Sequence, residues 1–456
     1  MTRKLLKKFL KRSQQQRLNI HCLGDAMIDE YYDVKVNRIS PEFPMPIMLS
    51  SSVDPVKRPG GAANVANQFR HFGVDSTLFC FYDEEAVTVF NEHGIDAKPF
   101  WVNGVLTHLP VKRRFLDGNT QIIRHDVEVP LCGYKEDHLD NINEQVKGSV
   151  SGTKPDVVVF SDYDKGFFSS KNFCLSDLYP DVVTIVDPKR GPLSKWHGCR
   201  IFKPNAKEAM ELSGGMTCWR EQSRFFQRTL DCESVVITHG GEKVVGVWRD
   251  EFFDYRPHRP VHVESVIGAG DCFAAVFAMA IGYGFSVAES SEIAWNAGAV
   301  YVQRGMNCPI IPAEISWDGI VEPEHLKNRD IKLVFTNGCF DVLHEGHLQL
   351  LRFAKAKGDR LVVAINTDES VRGLKGEGRP IKPLDQRMAV VAALDCVDFV
   401  VSFSEPTPLE VIKKIMPDVL VKGADYKPED IVGADIVPEL FRAPILDGLS
   451  TSNFLS

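Results

Sequence analysis

Short apolar runs alternate with helix-forming segments along most of this chain, and this rhythm restricts the possible folds more than any other feature. The clearest runs occupy residues 19–23, 156–160, 182–186 and 234–238. Such runs predict parallel strands, because each parallel neighbour needs a long crossover that is usually a helix. Ligands of parallel sheets bind beyond the carboxyl ends of the strands, so the residues after each run are candidates for a site. These residues are polar and include Asp25, Asp162, Asp187 and Asn205.

The length and composition exclude a single small domain and a membrane-embedded chain. At 456 residues the chain exceeds one ordinary hydrophobic core, so two or three domains are expected. The 44% of hydrophobic and 25% of charged residues are typical of a globular enzyme, and no apolar run approaches the roughly 20 residues of a membrane span. The 11 cysteines show no paired spacing, which indicates reduced thiols. We therefore expect a cytoplasmic enzyme without an integral membrane segment.

The first 17 residues carry seven basic side chains and no acidic one. Setting them aside changes the net charge from -8 to -15, so the body of the protein is too acidic to favour nucleic acid as a partner. The stretch also lacks the apolar core of a signal peptide. Leu5, Leu6, Phe9 and Leu10 would share one face of a helix. This face predicts a frayed tail, a helix packed on its own protein, or a helix that binds a membrane surface.

Residues 333–347 predict a strand, a turn and the start of a helix. An apolar run of strand type ends near Gly338, and an apolar pattern of helical spacing follows His347. His344 and His347 therefore lie one turn apart at a helix start, where free backbone N–H groups and the helix dipole favour anions. We interpret the pair as part of a phosphate-binding site. A zinc site and a purely structural role are the alternatives, although zinc usually requires histidines at i and i+4 and a third ligand.

The segment 336–341, together with the histidine pair, resembles the cytidylyltransferase-like nucleotidyltransferases. The resemblance implies a Rossmann-type fold in which a phosphate monoester of the substrate attacks the α-phosphorus of a nucleoside triphosphate and expels pyrophosphate. The monoester is already mostly ionised at neutral pH, so no general base is needed. Besides the catalytic His344 and His347, the resemblance implies nucleotide-binding roles for Asn337, Gly338, Phe340, Lys375, Arg379, Lys422, Asp425, Ser450 and Thr451.

A second constellation lies upstream, where Gly268, Ala269, Gly270 and Asp271 precede a helix that is apolar on all sides. The glycines let backbone N–H groups close on a developing phosphoryl charge, and Asp271 would face the attacking hydroxyl as a general base. A Gly-Ala-Gly turn alone is more often structural. Its companions are a glycine-rich segment that contains Gly60, Gly61 and Asn64, and a pair formed by Asn205 and Glu208.

Together these segments resemble the ribokinase-like carbohydrate kinases. The resemblance implies that Gly268 to Gly270 form an anion hole, that Asp271 is the base, and that Asn205 and Glu208 organise Mg²⁺ and ATP phosphates, with Glu208 acting on the metal indirectly. Further segments around residues 24–29, 38–42, 58–66 and 161–166 extend the resemblance to the bifunctional heptose 7-phosphate kinase/heptose 1-phosphate adenylyltransferases. It covers most of residues 18–456. The sugar-binding residues that it implies are Asp25, Asp29, Gly60, Gly61, Asn64, Lys112 and Arg114.

The sequence departs from this family at three places, one of which is its end at Ser456, where the resemblance implies several further residues. The stretch 76–110 is shorter than in relatives, and Ser265 and Ile267 stand where relatives carry Asp and Thr. The missing carboxylate predicts an altered monovalent-cation site. A solvated strand face is the alternative for Lys112, Arg114 and Arg124. A partly inactive binding protein is the alternative for the whole chain.

These patterns predict an α/β protein with a ribokinase-like parallel-sheet domain followed by a smaller Rossmann-like nucleotidyltransferase domain. The expected boundaries are a basic tail at 1–17, a kinase at 18–315, a linker at 316–330 and a transferase at 331–456. The expected substrates are sugar phosphates and nucleoside triphosphates, with ATP phosphorylating heptose 7-phosphate and donating AMP to heptose 1-phosphate. The alternative is a kinase for another sugar that is fused to a CTP-using transferase. A homodimer through the kinase domain is also expected.

Overall fold

The computed structural model describes residues 2–50, 52–81, 83–100, 108–118, 120–128, 148, 154–169, 173, 175–179, 181–257, 261, 263–304, 308–316, 318–327, 329–424 and 426–444. The chain divides into two compact units, Met1–Ile310 and Ile311–Ser456. Among the described residues, no helix combines the length and apolar character needed to cross a membrane.

The first unit contains a nine-stranded sheet and a smaller sheet. In chain order its strands are β1 (Asn19–Gly24), β2 (Ala26–Ile39), β3 (Pro46–Ser50), β4 (Val56–Gly61), β5 (Asp75–Phe81), β6 (Asp96–Phe100), β7 (Val111–Asp117), β8 (Thr120–Val127), β9 (Val157–Ser161), β10 (Val183–Asp187), β11 (Ile201–Phe202), β12 (Ser234–His239), β13 (Lys243–Trp248) and β14 (Glu251–Tyr255). The large sheet has the order β14-β13-β12-β11-β10-β9-β1-β5-β6, and the small sheet has the order β3-β2-β7-β8 with β4 paired to β2.

The strand register brings the polar residues of the predicted site to one edge of the large sheet. Of these nine strands, β6, β5, β1, β9, β10, β11 and β12 pair in parallel, whereas β13 runs in the opposite direction and pairs antiparallel with both β12 and β14. Gly24 and Asp187 both align with Ser161. The carboxyl ends of β1, β9 and β10 therefore meet, so Asp25 and Asp162 follow their strands at the same level. Crossover helices can connect the parallel strands in this arrangement.

The helices of this unit are α1 (Thr2–Gln15), α2 (Ala62–Phe69), α3 (Glu84–Glu92), α4 (Leu175–Leu178), α5 (Ala206–Leu212), α6 (Trp219–Leu230), α7 (Ala269–Gly282) and α8 (Val287–Tyr301). The side chains of α2 and nearly all of those of α7 are buried, as the apolar sequence of α7 predicts. Helices α2 and α7 also pack against each other. Their amino-terminal ends carry the glycine-rich segments of the predicted kinase site.

The amino-terminal helix α1 packs on its own protein. Leu5, Leu6, Phe9 and Leu10 are buried, and the Phe9 ring lies 5.7 Å from the Tyr283 ring in an edge contact. The apolar face that could have inserted into a membrane surface is therefore covered. Of the three alternatives that the sequence left open, the structure shows the packed helix.

The second unit is a five-stranded parallel sheet with helices. Its strands are β15 (Leu333–Gly338), β16 (Arg360–Asn366), β17 (Phe399–Phe403), β18 (Val419–Gly423) and β19 (Glu439–Ala443), in the order β17-β16-β15-β18-β19. Its helices are α9 (Glu345–Lys355), α10 (Asp368–Lys375), α11 (Leu384–Ala392) and α12 (Leu409–Ile415). The strand order reverses between β15 and β18, and ligands bind at such a switch point in open parallel sheets.

The end of the predicted kinase segment 18–315 and part of the predicted linker 316–330 belong to the core of the second unit. Ile311, Ala313, Val321 and Leu326 are buried in the hydrophobic cluster on one face of the sheet. The backbone N–H of Val321 also donates to the carbonyl of Val400 at 3.0 Å. We therefore propose that the second domain begins at Ile311 rather than at residue 331.

Candidate active sites

Asp271 lies in the first turn of α7 and is only 3% exposed. Its Oδ2 accepts a hydrogen bond from Asn64 Nδ2 at 2.8 Å, and its Oδ1 accepts one from the Tyr163 hydroxyl. Burial raises the pKa of Asp271 from 3.8 to about 6, and the two hydrogen bonds oppose the rise. The carboxylate is therefore ionised at neutral pH and still basic enough to take up a proton, which are the properties of a general base.

The turn before α7 leaves space for an anion at the helix start. Gly268 has φ of 74°, a left-handed conformation that favours glycine. A Cβ added at Gly270 would meet nothing within 4 Å, so the backbone there faces open space. The first N–H groups of a helix have no carbonyl partner within it and can donate to a phosphate. These features fit the predicted anion hole at Gly268 and Gly270, whereas the N–H of Ala269 already donates to the carbonyl of Val266 at 3.2 Å.

The glycine-rich segment that joins β4 to α2 touches the same site. Gly61 has φ of 57°, and a Cβ added there would lie 2.4 Å from the carbonyl oxygen of Asp25. At Gly60 an added Cβ would lie 2.5 Å from Asp29 Oδ2. Both glycines are therefore needed for this close approach. Asn64 follows them and also donates to the Tyr301 hydroxyl at 3.2 Å, so it links α2 to α8 beside Asp271.

Two strands of the small sheet carry the predicted sugar-binding side chains of Asp29, Lys112 and Arg114. Arg114 Nη2 donates to Asp29 Oδ1 at 2.8 Å, and both side chains are buried. Lys112 Nζ lies 5.4 Å from the centre of the Tyr163 ring, and burial lowers the pKa of this lysine. Arg124 is more exposed and pairs with Asp126, as expected of a solvated strand face.

Asp25 is bonded to a backbone loop. Its carboxylate accepts the N–H groups of Tyr163, Lys165 and Phe167 at 2.8 to 3.0 Å. Burial raises its pKa to about 6, against the effect of these hydrogen bonds. The contacts fix the loop after β9, and the sugar-binding role of Asp25 stays a prediction.

Asn205 and Glu208 form the cap of helix α5. Asn205 Oδ1 accepts the N–H of Glu208, and Glu208 Oε2 accepts the N–H of Asn205, both at 2.9 Å. Glu208 Oε1 is 2.9 Å from Lys189 Nζ. Nearby, burial raises the pKa of Asp187 to about 7, and the charge of Lys203 at 2.9 Å opposes the rise. Because both oxygens of Glu208 are bonded, an indirect contact with magnesium fits this geometry.

Ser265, at the position where the resemblance implies an Asp, has a local role. Its hydroxyl accepts the N–H of Ile267 at 3.2 Å. The neutral oxygen thus supports the turn that leads to Gly268.

In the second unit, the loop after β15 is held by Asp341. This buried carboxylate accepts from Arg379 Nη1 at 2.8 Å and from the N–H groups of Ile381 and Lys382. Burial acts to raise the pKa of Asp341, but these donors outweigh it, so its pKa lies below the ordinary value. The preceding Phe340 has φ of 46°. Arg379, predicted to bind nucleotide, is thereby tied to the loop of the histidine motif.

His344 and His347 face each other at the start of α9. Their ring centres are 3.9 Å apart, and the N–H of His344 donates to His347 Nδ1 at 3.4 Å. Burial, followed by the charges of His344 and Lys375, lowers the pKa of His347 to about 4, and burial also lowers the pKa of His344. Both rings are therefore neutral at pH 7. Because Nδ1 of His347 accepts, its proton is assigned to Nε2, which can donate to a phosphate.

Further cations lie near this histidine pair. Lys422 Nζ, at the carboxyl end of β18, is 3.5 Å from the carbonyl oxygen of Asn337 at the end of β15. Lys375 is exposed at the end of α10 and acts electrostatically on His347. Asp425, Ser450 and Thr451 lie outside the described residues, so their predicted nucleotide contacts stay predictions.

Sequence reasoning missed two site residues. Tyr163 follows β9 among the polar residues that the strand pattern singled out, but nothing in the sequence indicated its bond to Asp271. Arg387 is 2% exposed and donates to the carbonyls of Cys339 and Lys382 and to Asp368. An arginine within a partly apolar helix was the available signal. Among the described side chains, no group of three or more His, Cys, Asp or Glu could hold a metal, so the histidine pair has no third zinc ligand there.

Comparisons with known proteins match a known family in each part of the chain. The family described as pfkB family carbohydrate kinase matches residues 178–313, and the family described as Cytidylyltransferase-like matches residues 335–438. "Bifunctional protein HldE" of Shewanella sp. (strain ANA-3) is 34% identical over 465 residues, which are 96% of this chain and 96% of that protein. "Bifunctional protein HldE" of Proteus mirabilis (strain HI4320) is 33% identical over 470 residues, 96% and 97% of the two chains.

A solved structure shows the same fold for the first unit. Phosphofructokinase-2 from Escherichia coli in complex with fructose-6-phosphate has a TM-score of 0.51 at 20% identity, covering 63% of this chain and 94% of that chain. The predicted fold class and the two predicted enzyme classes, a sugar kinase and a nucleotidyltransferase, are confirmed. The chain belongs to the HldE family of bifunctional proteins, in which a pfkB-type carbohydrate kinase precedes a cytidylyltransferase-like domain.

Proposed function

We propose that this chain uses ATP to phosphorylate heptose 7-phosphate at its anomeric hydroxyl, and that it transfers AMP from ATP to heptose 1-phosphate. The second reaction gives ADP-heptose and pyrophosphate. The observation that carries the proposal is the presence of both sites on one chain: a buried carboxylate at the start of α7 and a neutral histidine pair at the start of α9. The relatives that match over 96% of the chain support the pairing of the two reactions.

In the kinase reaction, Asp271 takes the proton of the anomeric hydroxyl while the oxygen attacks the γ-phosphorus of ATP. Asn64 and Tyr163 hold the two carboxylate oxygens in place. The N–H groups at the start of α7 stabilise the charge on the transferred phosphoryl group. Electrostatic stabilisation of this kind is stronger next to a buried group such as Asp271 than in bulk water, because the local dielectric constant is lower.

Lys112 is the residue that we expect to contact the 7-phosphate. Among the described residues, no carboxylate lies within ion-pair distance of its ammonium group, which faces the Tyr163 ring, while Asp29 and Asp271 act on it electrostatically from farther away. Burial disfavours a charged lysine without an anion in direct contact, so a substrate phosphate would be bound favourably. Arg114, in contrast, is paired with Asp29 and orients this carboxylate for the sugar hydroxyls.

Magnesium fits the kinase site as an ion that ATP carries. Mg²⁺ is usually held by substrate phosphates and one or two carboxylates and keeps several waters. Asp187 and Glu208, which interact electrostatically near Asp271, would contact the magnesium ion through water. When bound, the ion would neutralise phosphate charge.

In the transferase reaction, the sugar 1-phosphate attacks the α-phosphorus and pyrophosphate leaves. The N–H groups of His344 and His347 and the ammonium group of Lys422 donate to phosphate oxygens whose charge grows in the transition state. A phosphate monoester needs no base to act as nucleophile. Because the kinase product would carry a second phosphate, a phosphatase reaction must remove the 7-phosphate between the two steps.

We also propose that the protein is a homodimer through the small sheet of the kinase domain. Large apolar side chains are exposed on this sheet and its loops: Ile39, Phe43, Met45, Leu49, Ile122 and Ile123. Exposed clusters of this kind mark protein interfaces. Light scattering of wild type and Phe43→Ser tests it, because the variant should have the molar mass of a monomer and wild type that of a dimer. A monomeric wild type would contradict the proposal.

The central experiment assays the two half-reactions separately in wild type, Asp271→Asn and His347→Ala. We expect Asp271→Asn to lose the kinase alone and His347→Ala to lose the transferase alone. Each variant then serves as the folding control of the other. Loss of both reactions in either variant, or of neither, would contradict the two-site assignment.

A further inference from the structure

The proposed base of the kinase site has a phenol as a hydrogen-bond donor. The Tyr163 hydroxyl donates to Asp271 Oδ1, while Asn64 donates to Oδ2. Each carboxylate oxygen keeps a second lone pair that can accept the proton of a substrate hydroxyl. The two donors therefore fix the rotation of the carboxylate without blocking its function.

The backbone that carries Tyr163 is held by a second carboxylate. Asp25 accepts the N–H groups of Tyr163, Lys165 and Phe167, so one buried side chain ties three residues of the loop. Within this loop Asp164 has φ of 58°, which a residue other than glycine adopts only when its surroundings hold it there. Asp25 thus places the Tyr163 ring, and Lys112 covers one face of that ring at 5.4 Å.

The surroundings of Asp271 show what Tyr163 contributes electrostatically. Burial raises the pKa of Asp271. The hydrogen bond from Tyr163 opposes this rise most strongly, and the hydrogen bond from Asn64 is next. In the part of the chain that the structure describes, Asp271 also interacts electrostatically with titratable groups of five elements: Cys22 of β1, Asp29 of β2, Lys112 of β7, Asp187 of β10 and Tyr301 of α8. Lys112 is the cation of this set, so the phenol is a main source of stabilisation for the charged base.

We propose that Tyr163 is a positioning residue that keeps the Asp271 carboxylate oriented and charged for proton abstraction, and that Asp25 contributes by holding Tyr163 in place. This inference rests on the kinase activity proposed above. In the reaction the hydroxyl proton of the sugar moves to Asp271. The sugar oxygen forms its bond to the γ-phosphorus as the bond to the ADP oxygen breaks. Tyr163 keeps its own proton throughout.

Removing the phenol hydroxyl has a consequence that depends on pH. Without this donor Asp271 takes up a proton more readily, so a smaller fraction of enzyme has a charged base in mildly acidic solution. The acid limb of kcat should therefore move to higher pH by roughly one pH unit. The activity lost in Tyr163→Phe is then much larger near pH 6 than near pH 8.5.

The kinase test compares wild type, Tyr163→Phe and Tyr179→Phe at saturating substrates from about pH 5.5 to about pH 9. Tyr179 is a matched control, because its buried hydroxyl contacts His21 rather than Asp271. We expect the acid limb to shift in Tyr163→Phe alone, and ionisation of the substrate phosphate affects all three proteins alike. Asp25→Asn should shift the limb in the same direction. A loss that is equal at every pH, or no loss, would overturn the proposal.

A second measurement needs no substrate and separates this inference from the proposed function. The change in thermal unfolding midpoint caused by Asp271→Asn is measured as a function of pH in two backgrounds, the wild-type chain and the Tyr163→Phe variant. The pH at which this effect is half lost should rise when Tyr163 is replaced, and an unchanged pH would overturn the proposal. If wild type phosphorylates no sugar phosphate, the proposed function fails, but this measurement still decides whether Tyr163 controls the charge of Asp271.

Discussion

Replacing Asp271 by Asn should stabilise the kinase unit at neutral pH while it abolishes phosphoryl transfer. Burial raises the pKa of the carboxyl from 3.8 to about 6. Each unit corresponds to about 1.4 kcal/mol, so keeping the group ionised at pH 7 costs about 3 kcal/mol. The amide carries no charge and can still accept from Tyr163, but it loses the acceptor for Asn64, which costs about 1 kcal/mol. The net expectation is a gain of about 2 kcal/mol in the free energy of unfolding at pH 7.

The gain should depend on pH in a defined direction. Between pH 3.8 and about 6 the folded wild type binds more protons at Asp271 than the unfolded chain does. Wild type is therefore stabilised as the pH falls through this window, and the variant is not. The advantage of Asp271→Asn should be largest at pH 7 and above, and it should disappear or reverse near pH 4.

Urea unfolding followed by tryptophan fluorescence measures this effect. Five of the six tryptophans, at positions 101, 196, 219, 248 and 295, lie in the first unit, so the signal reports mainly on the kinase. Asp75→Asn, at an exposed position, is the control for the loss of one negative charge. If Asp271→Asn is less stable than wild type at pH 7, or if the difference does not vary with pH, the explanation from burial is refuted.

Other parts of the structure give three further predictions. His347→Ala should lower transferase turnover about a hundredfold, because losing one hydrogen-bond donor to the transition state costs about 3 kcal/mol. For wild type, a zinc chelator should have no effect and removal of magnesium should stop the reaction. Transferase activity that requires zinc would contradict the assignment of the histidine pair to phosphate binding. Gly61→Ala should destabilise the kinase by about 2 kcal/mol or more, because the added Cβ would meet the Asp25 carbonyl oxygen at 2.4 Å. Gly270→Ala should leave the thermal midpoint unchanged but lower kinase turnover, because its Cβ enters the open space at the helix start. If Gly61→Ala leaves the melting temperature unchanged and Gly270→Ala leaves kinase turnover unchanged, the roles assigned to both glycines are wrong. A fragment of residues 311–456 should melt at a higher temperature than one of residues 331–456, because only the longer fragment keeps the buried Ile311, Ala313, Val321 and Leu326. Equal melting temperatures would indicate that the second domain begins at residue 331.

Local patterns in the sequence predicted much of this fold. The apolar runs after residue 18 became strands of a parallel sheet, and the glycines before Asp271 began a buried helix. The segment 316–330 was predicted as a linker because it is largely polar, yet Val321 and Leu326 are buried. Two isolated apolar residues give no periodic signal, and their burial depends on the sheet that they meet.

The candidate sites show the same division between local and distant information. The pairing of His344 with His347 follows from helix spacing, because the two residues are one turn apart. The bond from Tyr163 to Asp271 joins residues 108 positions apart, and three-dimensional structure alone brings them together. The same holds for the hydrogen bonds by which the Asp25 carboxylate, predicted to bind sugar, holds the backbone from Tyr163 to Phe167.

The most direct test of the central claim follows both reactions of the purified wild type by phosphorus NMR. With heptose 7-phosphate and ATP, the account predicts a new anomeric phosphate signal together with ADP. With heptose 1-phosphate and ATP, it predicts pyrophosphate and the paired signals of a nucleoside diphosphate sugar. Absence of either product at saturating magnesium, while hexose phosphates or CTP react instead, would contradict the assignment of this chain to both steps of heptose activation.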